Sequence, residues 1–205
     1  MLTMNMMLYK FTKAVMYPIV KLFYRLEVKG IDNLNKLENG YILCSNHLSN
    51  WDPIFLILLS KAPIRFMAKE ELFKNKIFRW FFHSIGAFEV RRGKGDSSAI
   101  ELSNNIIKNK ENLGIFIEGT RSKNGDFLRP KSGVSVIAAS TNANILPVCI
   151  TGVSKNNKIM IFHKVKITFG KPIFPGESNI DLKSRIEIKK FTEMIMSKIR
   201  ELRNT

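Results

Sequence analysis

Short apolar runs alternate with polar turns along most of the chain. Glu27-Val28-Lys29 alternates, residues 30–40 read as a polar loop, and Tyr41-Ile42-Leu43-Cys44 is an unbroken apolar run of strand length. Residues 53–60 predict a helix that starts on Pro53, a residue suited to a helix's first turn. Ala62-Pro63 breaks the pattern before a strand over Ile64-Arg65-Phe66-Met67. Leu72, Phe73, Ile77, Trp80, Phe81 and Ile85 recur at spacings of three and four, which predicts an aromatic-rich helix face. That face suits core packing better than the lining of an apolar groove, and His83 beside it reads as structural. Further strands are expected at 87–90, 113–117 and 145–150, with helices at 97–110, 134–140 and 182–203. Residues 159–169 suggest a hairpin or two strands, with His163 on an outer face. Pro147 lacks an amide donor, which points to a strand start, an edge or a bulge and not to a central, fully paired position. The sum is an α/β fold with a mixed, largely buried β-sheet flanked by helices.

The first 26 residues differ from this pattern. Lys10, Lys13, Lys21 and Arg25 interrupt the apolar side chains, so no uncharged run reaches the roughly 18 residues of a membrane span. No small-residue cleavage site follows, so a signal peptide is not read here either. At about 100° per residue the four cations fall within an arc of about 120°. Leu8, Phe11, Val15, Ile19, Leu22, Phe23 and Leu26 lie mainly on the other side. An amphipathic helix lying in a membrane interface is expected, with a helix packed on the domain's own core as the alternative. Pro18 is expected to kink or split it.

Charge and cysteine usage narrow the possibilities. The 33 Lys and Arg residues outnumber the 17 Asp and Glu, for a net charge of +16. Such an excess favours polyanionic partners, either nucleic acid or an acidic membrane surface. The basic residues are spread over all segments and no nucleic-acid motif is present, so no nucleic-acid partner is expected. Cys44 and Cys149 each sit in an apolar run without metal-ligand spacing and read as buried thiols in a reducing compartment. At 205 residues the chain suits one domain with a small appendage, divided as residues 1–25 and 26–205.

The candidate chemistry starts at Ser45-Asn46-His47-Leu48-Ser49-Asn50-Trp51-Asp52-Pro53, where a strand gives way to a polar turn. His47 precedes Asp52 by five positions, a distance that one turn closes. A carboxylate accepting the Nδ1 proton of a histidine leaves Nε2 free to take a proton from a hydroxyl. Asp52 before Pro53 equally fits a helix N-cap, and the two roles are compatible. At the end of the 113–117 strand, Glu118-Gly119-Thr120-Arg121 offers a carboxylate, a close-approach glycine and a guanidinium fork. A simple turn ion pair between Glu118 and Arg121 is the plainer reading. Arg91-Arg92-Gly93-Lys94-Gly95 and the 122–133 loop with Lys123, Arg129 and Lys131 are basic enough to hold a phosphate or merely to be solvated.

Four of these stretches, in this order, resemble the glycerolipid acyltransferase family, in particular its bacterial 1-acyl-glycerol-3-phosphate acyltransferases. They are Asn46-His47 to Asp52-Pro53, Gly86 to Gly93, Phe116-Ile117-Glu118-Gly119-Thr120-Arg121-Ser122, and Ile145-Leu146-Pro147-Val148. The resemblance covers residues 26–175. Ile117 stands where the family usually has proline, which leaves the local backbone open.

The resemblance implies transfer of a fatty acyl group from a thioester to the sn-2 hydroxyl of lysophosphatidic acid, giving phosphatidic acid. It makes His47 and Asp52 catalytic, and Arg92, Glu118, Gly119, Thr120, Arg121, Lys131 and Pro147 substrate-binding. Acyl-CoA or acyl carrier protein would be the co-substrate, without a metal or other cofactor. An anionic membrane surface would be the partner, at the cytoplasmic face of the cell membrane. Transfer to another lysolipid or to glycerol 3-phosphate keeps the same four stretches; a basic module without catalysis is the rival of another class.

Overall fold

The computed structural model describes residues 4–90, 97–152, 154–155, 158–159, 162, 164–177, 181 and 184–205. Helix α1 (Met6–Phe23) leads into strand β1 (Arg25–Lys29) and the one-turn helix α2 (Ile31–Asn35), which occupies part of the expected 30–40 loop. Next come β2 (Ile42–Ser45), α3 (Asp52–Leu59), β3 (Ile64–Lys69), a 3-10 turn (Glu70–Phe73), α4 (Lys76–Ser84) and β4 (Phe88–Val90). After residues 91–96 the chain forms α5 (Ser97–Lys108), β5 (Asn112–Phe116), α6 (Gly133–Thr141) and β6 (Ile145–Thr151). The short strands β7 (Ser154–Lys155) and β8 (Lys158–Ile159) pair with each other, and β9 (Lys164–Phe169) and α7 (Arg185–Glu201) complete the elements.

Seven strands form one sheet in the order β1-β9-β6-β2-β5-β3-β4. The run from β6 to β4 is parallel, and β9 pairs antiparallel with β6 and parallel with β1. Parallel strands are buried on both faces, which is why β2, β5 and β6 read as continuous apolar runs. Their side chains nevertheless alternate between two cores. Leu43, Leu146, Val148 and Ile150 pack with α1 and α3 residues such as Tyr9, Val20, Phe55 and Leu56. Ile42, Cys44, Ile145 and Cys149 pack with Ile106, Ile137, Phe191, Ile195 and Ile199 on the opposite face.

Several expectations change at this level. Helix α1 runs through Pro18 as a single element, because its inner residues Tyr9 and Thr12 before the proline and Val20 after it are all buried on the domain. That burial outweighs the backbone hydrogen bond proline removes. Lys13 does not join the outer cations: its ammonium donates to the Ser60 carbonyl, and burial lowers its pKa. The aromatic face at 72–85 is only partly core. Phe73 and Ile85 are buried, whereas Ile77 is 75% exposed and Trp80 57%.

Pro147 lies on an interior strand, between β2 and β9, and not at an edge. Its carbonyl accepts from Gly170 N at 2.8 Å, so its amide position also faces the β9 side. The antiparallel ladder on that side begins only at Val148–Phe169, so the missing donor falls just outside it.

Candidate active site

The site lies where β2 and β5 end. Ser45 and Phe116 are register partners in these parallel strands, so residues two positions further on, His47 and Glu118, emerge side by side. The ladder is extended past the strand ends by Ile117 N donating to the Ser45 carbonyl (3.0 Å) and Ser122 N to the His47 carbonyl (2.8 Å). A proline at 117 would lack the first of these bonds, so isoleucine is compatible with the turn and adds one contact.

Asp52 is fully buried and its Oδ2 accepts from His47 Nδ1 at 2.8 Å, Leu48 N at 2.6 Å and Ser49 N at 2.8 Å. The carboxylate therefore folds back onto the 47–49 loop and does not cap α3, whose N-cap position is Trp51. Pro53 sits in the first turn as expected. With the Nδ1 proton directed to Asp52, the basic lone pair of His47 is on Nε2. The ring's other support is Phe116, stacked on it at 3.9 Å between centroids and 12° between planes. Phe66 stacks on Phe116 in turn, at 5.5 Å. Gly114 makes room for that Phe66 ring, since a Cβ there would lie 2.2 Å from Phe66 Cε1.

Asn46 holds the histidine's approach from the other side. Its Nδ2 donates to the Ile150 carbonyl at 2.9 Å and its Oδ1 accepts from Ile150 N at 2.8 Å, so the side chain imitates one more rung of the β2–β6 ladder. Both the Asn46 pairing and the aromatic stack join residues distant in sequence. Neither role was read from the motifs, although Asn46 and Phe116 both lie in them.

Glu118 is only 2% exposed, and it neither reaches outward nor pairs with Arg121. Its Oε2 accepts from His47 N at 3.2 Å and its Oε1 from Leu128 N at 3.0 Å. Burial pushes its pKa up, and these two amide donors pull the other way. Gly119 follows with φ +68°, the left-handed region that favours glycine, and a Cβ there would sit 3.3 Å from Lys131 Cγ. The Lys131 stem thus lies over the turn, tied by Lys131 N to the Ile117 carbonyl at 2.7 Å. Gly119 N donates to the Phe116 carbonyl at 2.9 Å, so that amide is not free to hold an oxyanion.

Thr120, Arg121 and Lys131 are exposed, and Arg121 makes no ion pair with a described residue. The 122–128 loop beside them is braced by Arg203, whose Nη2 donates to the Gly125 carbonyl at 3.0 Å and whose guanidinium lies 5.0 Å from the Phe127 ring centroid. Arg92 and His163 lie outside the described residues. Pro147 does not join the cluster: it is buried in register with Cys44, against Gly170. Cys44 and Cys149 are free, buried thiols, and burial pushes Cys149 up to about 11 and Cys44 higher still, so neither offers a thiolate nucleophile. Among the described residues no group of three or more His, Cys, Asp or Glu side chains is arranged to hold a metal ion. Nor is any described helix long and apolar enough to cross a membrane.

Residues 25–151 match the family model described as acyltransferase. The chain is 30% identical over 199 residues to a 1-acyl-sn-glycerol-3-phosphate acyltransferase of Bacillus subtilis, covering 96% of this chain and 98% of that one. It is 33% identical over 144 residues to the protein of that name from Streptococcus pneumoniae, covering 69% of this chain and 53% of that one. A chloroplast relative from Arabidopsis thaliana is 26% identical, with 46% of its length covered. The chain therefore spans about half the length of some curated relatives and nearly all of the Bacillus protein. Among solved structures, the crystal structure of the 1-acyl-sn-glycerophosphate acyltransferase from Thermotoga maritima aligns with a TM-score of 0.71 at 28% identity, covering 97% of this chain and 78% of that one.

Proposed function

Given that the chain belongs to the acyltransferase family, we propose that it transfers a fatty acyl group from acyl-CoA or acyl carrier protein to the sn-2 hydroxyl of lysophosphatidic acid. The observation that carries this reading is the His47 Nδ1–Asp52 Oδ2 contact of 2.8 Å, which leaves Nε2 as the base at the open edge of the sheet. The acceptor hydroxyl loses its proton to Nε2 as its oxygen bonds to the thioester carbonyl carbon. Collapse of the tetrahedral intermediate breaks the carbon–sulfur bond, and the leaving thiolate takes the proton from the imidazolium. Asp52 orients the ring and stabilises its charged form. No covalent acyl-enzyme is needed, in keeping with the two protonated, buried cysteines.

The phosphate of the acceptor is assigned to Arg121 and Lys131, with Thr120 and Arg92 as further donors; the exposure of Arg121, Lys131 and Thr120 beside the His47 edge supports this. Glu118 holds the His47 loop and the Leu128 segment through its two carboxylate oxygens. The protein is taken to sit peripherally on the cytoplasmic face of the cell membrane, which the exposed Lys10, Lys21, Met7, Phe11 and Leu22 of α1 support. Thiol release by the purified protein, with both donors against lysophosphatidic acid, other lysolipids and glycerol 3-phosphate, tests the reading. Turnover is expected with lysophosphatidic acid and absent in a folded His47→Ala variant; equal turnover in that variant sinks the mechanism.

A further inference from the structure

Helix α4 is amphipathic over its whole length, yet the domain covers only half of it. Its C-terminal turn is packed: Ser84 and Ile85 are buried, and Ser84 Oγ lies 3.3 Å from Thr12 Oγ1 of α1. Trp80 and Ile77 precede Ser84 by four and seven positions and so continue the same stripe, and Phe78 flanks it. These three are left 57%, 75% and 57% exposed. Lys74 and Lys76 are exposed at the helix start, and neither α1 nor α4 contains an acidic residue.

Topology places this uncovered end at the catalytic edge. Strands β3 and β4 are parallel, so the helix joining them starts where strands end, the edge from which His47 emerges. Strand β1 runs antiparallel to β2, because it is parallel to β9 and β9 is antiparallel to β6. The C-terminal end of α1, with exposed Tyr17, Lys21 and Leu22, therefore reaches the same edge, and Tyr24 beside it packs on Trp51 at 5.8 Å.

We propose that the N-terminal half of α4 is a lipid-inserting element that, together with the outer face of α1, seats the catalytic edge against an anionic bilayer. Large apolar and aromatic side chains flanked by Lys74 and Lys76, with Glu70 and Glu71 confined to the turn before them, match a headgroup boundary of negative charge. The benefit of this docking rests on the reading of the acceptor as a membrane lipid, since it shortens the path from bilayer to His47.

The test uses the full chain with vesicles of phosphatidylcholine and phosphatidylglycerol. Emission from Trp80 should shift to the blue on binding and be quenched by brominated acyl chains, and Trp80→Phe should remove that quenched component while still binding. Substituting Ile77, Phe78 and Trp80 by Ser should weaken partitioning on the order of tenfold per side chain, and Lys74→Gln with Lys76→Gln should flatten its dependence on anionic lipid. Circular dichroism and turnover of a soluble short-chain lysophosphatidate should be unchanged in the triple variant. Equal vesicle binding by the triple variant, or unquenched Trp80 in bound wild type, overturns the proposal. So does a wild-type dimer that ignores vesicles and dissociates on the triple substitution, because the face would then belong to a second copy. Absence of turnover on the soluble acceptor in wild type would instead strike the acyltransferase reading and leave the docking result standing.

Discussion

Glu118→Gln isolates the link between the two halves of the site. In the native protein each carboxylate oxygen serves one backbone amide, Oε2 that of His47 and Oε1 that of Leu128. Glutamine has one oxygen and one NH2 group, so either rotamer sets a donor against a donor in a site only 2% exposed. One hydrogen bond is lost outright and the other loses its charge assistance; leaving a buried donor unpaired costs about 1–3 kcal/mol. Against this stands the relief of not burying a charge, since burial raises the Glu118 pKa. A net destabilisation of about 2 kcal/mol lowers Tm by about 4–8 °C in a chain of this size. The sign with pH follows from the raised pKa. Its contribution to stability is fully present below the ordinary glutamate range and is lost as pH rises through the folded-state value. Wild type should therefore lose stability relative to the glutamine variant on going from acid to neutral pH, measured by urea unfolding at several pH values. The His47 loop, untied at its amide, should lower kcat by at least about tenfold, and the freed Leu128 segment should raise KM for the acceptor. A folded Glu118→Gln protein with native kcat and KM, and the same pH slope as wild type, would refute the bracing role.

Three further substitutions probe the remaining contacts. Arg121→Lys keeps the charge but loses the planar fork, so kcat/KM for phosphate-bearing acceptors should fall about thirtyfold, equivalent to about 2 kcal/mol; an unchanged value removes Arg121 from the phosphate site. Gly114→Ala places a methyl where Phe66 Cε1 lies 2.2 Å away, which should cost about 1–3 kcal/mol by overpacking and lower kcat through the Phe66–Phe116–His47 stack, read by thermal melts and steady-state kinetics. Asn46→Asp replaces the Nδ2 donor with a carboxylate oxygen facing the Ile150 carbonyl, and a loss of about 2–4 kcal/mol in chemical unfolding is expected; near-native stability would show that the imitated rung contributes little.

What could be read from the sequence alone was local or periodic. The pairing of His47 with Asp52 needs only a strand end, one turn and Pro53, all within nine residues, and its distance confirms the spacing. Apolar runs announced β2, β5 and β6 because parallel strands are covered on both faces. Strand order, by contrast, is not written in any one segment. Placing β2 between β5 and β6 is what sets Glu118 against the His47 amide and Asn46 against Ile150, and no spacing rule links positions 71 and 104 residues apart. The same reason applies to the aromatic segment and to Pro147. Periodicity shows that the 72–85 segment has an apolar face and that Pro147 cannot donate, but what lies opposite each is decided by neighbours from elsewhere in the chain. Only the tertiary structure shows α1 covering one end of α4 and leaving Ile77, Phe78 and Trp80 bare, and β9 beginning its ladder one residue past Pro147.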